Sequence, residues 1–159
     1  MTRKLAIAGC ALAALIATTP YLAAQQSRSI SMLGQWEIVE AVPAPWADEK
    51  NHAALAAEGK RMLKLVITFE PKAVKSTNRA FECKRAVIYE PNEIESDALF
   101  QGNLPEPNPT AAAIRLGFKR GDIPGVDVRC LKAQYTFHFR DADTAMFSLN
   151  RVIYTLKRR

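Results

Sequence analysis

Residues 134–156 read QYTFHFRDADTAMFSLNRVIYTL. Tyr135, Phe137 and Phe139 alternate with Thr136, His138 and Arg140, which is the period of a strand with one apolar face. Asp141-Ala142-Asp143 makes a tight connection. Thr144 to Leu149 and Arg151 to Leu156 then supply two further strands. Successive short strands with one apolar face fold as antiparallel sheets.

The same period recurs upstream. Met62 to Glu70 places Leu63, Leu65, Ile67 and Phe69 on one face, against Lys64, Thr68 and Glu70. Ala73 to Lys75 reads as a short return strand after the Glu70-Pro71-Lys72 turn. Phe81 to Tyr89 sets Phe81, Cys83, Val87 and Tyr89 together, with Arg85 as a blemish on that face. Val126 to Leu131 is a strand carrying Cys130. Gly34 to Ala41 is the first strand, with Trp36 and Ile38 sharing a face, and Pro43 and Pro45 end it by removing ladder donors. Ala47 to Glu58 is a short helix with acids in its first turn and Gly59-Lys60 at its stop, mostly alanine and therefore a surface element or lid. Pro91 to Pro109 is turn-rich. Asn108-Pro109-Thr110 opens a second helix through about Leu116, and Gly121 to Gly125 is a turn. The expected class is mainly β with minor α: an antiparallel barrel or strongly curved sheet of about seven to eight strands. Closure is favoured because an open sheet leaves unpaired edges.

The first residues follow a different logic. Arg3 and Lys4 precede an apolar run from Leu5 to Ala17, which Thr18-Thr19-Pro20 ends. Such a run falls short of the roughly 20 residues a membrane-spanning helix needs and suits a signal h-region. Residues 1–24 are therefore expected to be a cleavable export signal, 25–32 a short flexible segment and 33–159 one domain. Ile7-Ala8-Gly9-Cys10 has the look of a lipoprotein box, but the apolar run continues past Cys10, so lipid anchoring is not expected. No second apolar span follows. The chain carries +6, two of those charges in the signal, and its Lys and Arg are spread out except for Lys157-Arg158-Arg159. That is a solvated face rather than a nucleic-acid footprint. The two cysteines beyond the signal, Cys83 and Cys130, read as a disulfide in an oxidising, periplasmic compartment. Closing that loop contributes roughly 3–4 kcal/mol on the chain-entropy model.

Gly34-Gln35-Trp36 resembles the G-x-W of lipocalins, in which the Trp lies across the closed end of the barrel under a basic residue from the last strand. Here Arg151, Lys157 or Arg158 would supply that cation. The chain departs from lipocalins in lacking a central Thr-Asp-Tyr-type motif and in its interrupting helix. It is also similar to small exported proteobacterial proteins of no assigned function. Those carry G-x-W, A-P-W, a V-T-F-like strand, F/L-x-C, L-F-Q-G and a closing V-I-Y-T-L-K/R. The counterparts here are Gly34–Trp36, Ala44–Trp46, Val66–Phe69, Phe81–Cys83, Leu99–Gly102 and Val152–Lys157.

Candidate chemistry is sparse. His138 is expected on a polar strand face at the surface, unlinked by spacing to His52. Asp141 and Asp143 are explained by a hairpin turn without a metal. Glu93 and Glu95 sit in a turn-rich loop with no apolar pocket to tune them. No G-x-S-x-G elbow or phosphate loop is present, so neither a catalytic residue nor a cofactor is assigned. Trp36, Phe69, Tyr89, Phe137 and Tyr154 are expected to face inward, where they either fill the barrel or line a site for one small apolar ligand. The expected function is non-catalytic binding of such a ligand. The alternative is a protein-interaction module, such as an inhibitor of an envelope hydrolase, gripping its partner through Leu99, Phe100 and Gln101.

Overall fold

The computed structural model describes residues 30–131 and 133–159. The expected export signal, the Cys10 motif and residues 25–29 lie outside the described residues. Eight strands form one antiparallel sheet: β1 Gly34–Pro43, β2 Val66–Glu70, β3 Ala73–Ser76, β4 Ile88–Glu95, β5 Asp122–Cys130, β6 Ala133–Asp141, β7 Thr144–Leu149 and β8 Val152–Arg158. Their order across the sheet is β3-β2-β1-β8-β7-β6-β5-β4. The sheet curls into a half-barrel whose free edges are β3 and β4. Tyr89 of β4 spans the seam, its hydroxyl donating to the Glu70 carbonyl at 2.7 Å. Burial, with the Glu70 charge adding to it, pushes that phenol up to about 12, so it remains a donor.

The concave face follows the alternation read from the sequence. Trp36 and Ile38, Ile67 and Phe69, Val126 and Val128, Phe137 and Phe139, and Ala145 and Phe147 are all buried there, with Val152, Tyr154 and Leu156 from β8. Rings interlock through the centre. Phe69 meets Phe137 edge-on at 5.3 Å, Phe137 meets Phe147 at 5.2 Å, and Phe147 stacks on Tyr154 at 5.1 Å. Such pairs add about 0.5–1.5 kcal/mol beyond their area.

The convex face is not left to water. The one-turn α2 (Leu99–Gly102) and α3 (Pro109–Arg115) lie over it, and Leu99, Phe100, Ala113 and Phe118 pack on Ile123, Met146 and Ile153. A sheet covered on both sides needs apolar residues on both faces. That is why β7 and β8 are buried almost without interruption. Asn108 caps α3, its side-chain oxygen accepting from Ala111 N at 2.8 Å. Helix α1 (His52–Lys60), preceded by a 3₁₀ turn at Glu49–Asn51, crosses the end of the half-barrel opposite Trp36. Its Gly59 approaches Ala41 and Val152 so closely that a Cβ would sit 2.9 Å from the Ala41 methyl.

The structure corrects four local expectations. The strand expected from Met62 begins only at Val66, because Arg61 to Leu65 continue as turns and Lys64 takes a left-handed φ of 66°. Leu63 is consequently exposed rather than inward. Phe81 to Val87 is not a strand either. Cys83 exchanges two backbone hydrogen bonds with Val74, and Ala86 turns left-handed, which leaves Arg85 in solvent. Conversely, the stretch 91–95 belongs to β4 and 122–125 to β5. Pro91 is tolerated because β4 is an edge, and Pro124 lies beyond the last β5–β6 pair, Gly125 with His138. In the segment before β1, Met32 is buried, and the Ser31 and Leu33 carbonyls accept from Arg158.

Candidate functional site

The Trp36 end is built from one arginine. The Arg158 guanidinium lies 4.4 Å from the centre of the Trp36 ring, donates to Leu33 O at 2.7 Å and Ser31 O at 2.6 Å, and pairs with Asp143 at 3.3 Å. The indole Nε1 donates to Met32 O at 2.8 Å. Gly34 has a φ of +119°, and a Cβ there would meet Arg158 Nη1 at 2.9 Å. The glycine of Gly34-Gln35-Trp36 thus makes room for the cation that covers the tryptophan. Of the three cations considered, Arg158 holds this place. Arg151 is exposed in the β7–β8 turn at the opposite end, and Lys157 points outward.

Four of the five rings expected to line a ligand site, Trp36, Phe69, Phe137 and Tyr154, are buried against neighbours and line none of the larger hollows. Tyr89 is half-buried at the seam, beside a small apolar hollow of about 240 Å³ that also touches Met32 and Pro91. The interior is a filled core. The closed packing has a physical source in Phe81, which enters the mouth from the 77–87 segment and meets Tyr135 at 5.1 Å and Phe147 at 5.6 Å.

A hollow of about 610 Å³ opens at that mouth, around the disulfide. Cys83 and Cys130 are bonded, with Cα atoms 6.0 Å apart. Arg79, Lys84 and Arg85 stand on its rim with one acid, Glu82; Leu131 and Tyr135 are among its apolar walls. Leu131 is 77% exposed, the most exposed large apolar side chain described. Tyr135 donates to Ala80 O at 2.6 Å and so fixes the 77–87 segment against β6.

A second hollow, about 270 Å³ and polar, lies on the convex face. It brings together residues singled out separately in the sequence, Phe100, Gln101 and His138, with Gln134, Thr136 and Ser148. Two expectations fail here for one reason. Leu99 and Phe100 are buried under α3 instead of being offered to a partner, and His138 is 2% exposed instead of a surface group. Phe100 stands edge-on to the imidazole at 5.2 Å. The signal for this outer layer was present in the unbroken apolar runs Ala145–Phe147 and Val152–Tyr154.

His138 Nδ1 is buried without a hydrogen-bond partner, so Ser148 does not serve it as a nucleophile would serve a base. Asp127 is already engaged, accepting from Thr136 Oγ1 at 2.5 Å. Among the described residues no group of His, Cys, Asp or Glu is placed to hold a metal, and no helix is long and apolar enough to cross a membrane.

Desolvation lowers the His138 pKa to about 4, against a smaller raising effect from Asp127. The unfolded chain therefore takes a proton near pH 6.5 that the fold refuses until near pH 4. Stability should be flat above about pH 7, fall by about 3 kcal/mol as pH drops through that window, and lose nothing more to this group below it. Urea titrations at pH 7.5, 5.5 and 4 read the slope, and His138→Gln should flatten it. An unchanged slope in that variant would assign the acid sensitivity elsewhere.

Set against protein-family models, curated proteins and solved structures, the chain matches none.

Proposed function

We propose that the protein is a non-catalytic binding protein of the periplasm that takes an amphipathic anion in the hollow beside the disulfide. The observation that carries this reading is the pairing of three cations, Arg79, Lys84 and Arg85, with the apolar surface of Leu131 and Tyr135 around one 610 Å³ concavity. Barrel mouths are common ligand sites, and a carboxylate or phosphate head on the rim with an acyl tail on Leu131 fits both chemistries. The ligand sits over the plugged mouth and not inside the barrel. Periplasmic location is inferred from the export signal and from the bridged cysteines. A protein partner gripped by the 99–101 turn is the weaker reading, since Leu99 and Phe100 are buried and only Gln101 is accessible.

A fluorescent long-chain fatty acid is the probe. It should bind saturably, weaken as ionic strength rises, and lose about tenfold affinity in an Arg79→Glu/Arg85→Glu double variant. Native mass spectrometry of protein taken from cell envelopes should show a retained anionic ligand. An apo mass alone, together with no probe binding, rejects the reading.

A further inference from the structure

The convex hollow beneath Gln101 lies outside the function proposed above, and its chemistry is of a different kind. Its lining bears amides from Gln101 and Gln134, hydroxyls from Thr136 and Ser148, the His138 imidazole, the Phe100 ring and Tyr135, the one residue it shares with the disulfide hollow. No carboxylate, ammonium or guanidinium is among the lining residues. A charged ligand entering such a space would surrender its hydration without an opposite charge to meet.

We propose that this hollow binds a single neutral polyhydroxylated ring, the saccharide unit of a glycan or a free monosaccharide. Three observations converge on that class. Amides and hydroxyls each donate and accept, which matches sugar hydroxyls that do the same. Thr136 has already committed its proton to Asp127, so it presents lone pairs to the cavity and accepts from a ligand hydroxyl. His138, 2% exposed, holds an unpartnered Nδ1 in the same wall. Leaving a buried polar atom unpaired costs about 1–3 kcal/mol, and a ligand hydroxyl recovers part of that.

The cap over the imidazole is the element that must give way. Phe100 and Gln101 have φ of 53° and 64°, two successive residues in the left-handed region without a glycine between them. Such conformations persist only where the surroundings hold them. Here the hold is the packing of Phe100 on Phe118 and His138, and the bond from Asn103 Nδ2 to Phe100 O at 2.6 Å. A shift of this one turn uncovers Nδ1 while the sheet stays in place.

The test is an NMR titration of isotopically labelled protein, following the His138 imidazole signals. Probes are glucose, galactose, mannose and N-acetylglucosamine, with glucuronate and glucosamine as charged counterparts. At least one neutral sugar should shift the His138 ring saturably with a Kd in the millimolar range, roughly −4 kcal/mol or somewhat weaker. Its charged counterparts should bind about fivefold more weakly or worse. Gln134→Ala and Ser148→Ala should each weaken the response several-fold, because both side chains line the hollow without holding the core. The Arg79→Glu/Arg85→Glu variant should leave it unchanged, which separates this site from the disulfide hollow. The proposal is overturned if no neutral sugar moves the imidazole at 100-fold excess over about 1 mM protein, if glucuronate or glucosamine binds best, or if the shift survives both wall substitutions.

Discussion

Trp36→Ala should cost about 3–5 kcal/mol of folding free energy, the range for emptying a fully buried aromatic site. Trp36 is 0% exposed and meets Phe139 edge-on at 6.0 Å. Its removal also strands two partners. Met32 O loses the indole N–H, and Arg158 loses the ring that covers it at 4.4 Å. With total stabilities of about 5–15 kcal/mol for such domains, the variant should be the least stable single substitution at this end of the fold. Trp36→Phe should recover most of the loss, short of about 1 kcal/mol for the missing hydrogen bond. Arg158→Ala should cost less than Trp36→Ala, and the double variant less than the sum, since the two are in contact. Urea midpoints of the four variants against the unsubstituted protein provide the measurement. A Trp36→Ala loss under about 1 kcal/mol would mean the ring is not the keystone of that end.

Reduction of the Cys83–Cys130 bridge should cost about 3–4 kcal/mol, mostly by releasing the unfolded chain from a closed loop. The two cysteines are 47 positions apart, and the segment between them holds β4, α2, α3 and most of β5. The folded state keeps much of its local support without the bond. Val74 and Cys83 still exchange backbone hydrogen bonds, Tyr135 still holds Ala80, and Phe81 remains against Phe147. The loss should therefore be global, seen as a drop in melting temperature of roughly 10 °C or more in Cys83→Ser/Cys130→Ser. Amide exchange at 77–87 should rise only modestly. If that segment instead exchanges freely while the rest melts unchanged, the bridge acts as a local clasp.

Much of the architecture was legible from periodicity alone. Trp36, Ile38, Ile67, Phe69, Phe137, Phe139 and Tyr154 are buried as their alternation predicts, because one-sided burial imposes period two wherever a strand is pleated. The tripeptide pointed to Gly34, but it left Arg151, Lys157 and Arg158 as equal candidates for the covering cation, and only the fold selects Arg158. What the sequence concealed was the second layer. His138, Thr136 and Arg140 read as a wet face, and only the cover supplied by Leu99, Phe100 and Phe118 reverses that reading. Nothing in the spacing of residues 99–118 says which side of a sheet they cover. The 62–65 and 81–87 stretches misled for a related reason. Met62, Leu65, Phe81 and Val87 do pack on the core, but from turns in which Lys64 and Ala86 adopt left-handed backbone, a choice neither residue type advertises.

The position of β8 has a consequence for how the molecule is made. It lies in the middle of the sheet, between β1 and β7, although it is the final strand in chain order. Before it emerges, the growing polypeptide holds two separate ladders, β1 to β3 and β4 to β7, that share no strand pair. The sheet can therefore close only once β8 is present, through contacts more than a hundred residues apart, such as Trp36 with Arg158. Until then both ladders present a sticky margin, Glu37 to Pro43 on one side and Thr144 to Leu149 on the other. The two ladders become one sheet only when the seven-residue β8 slots between them.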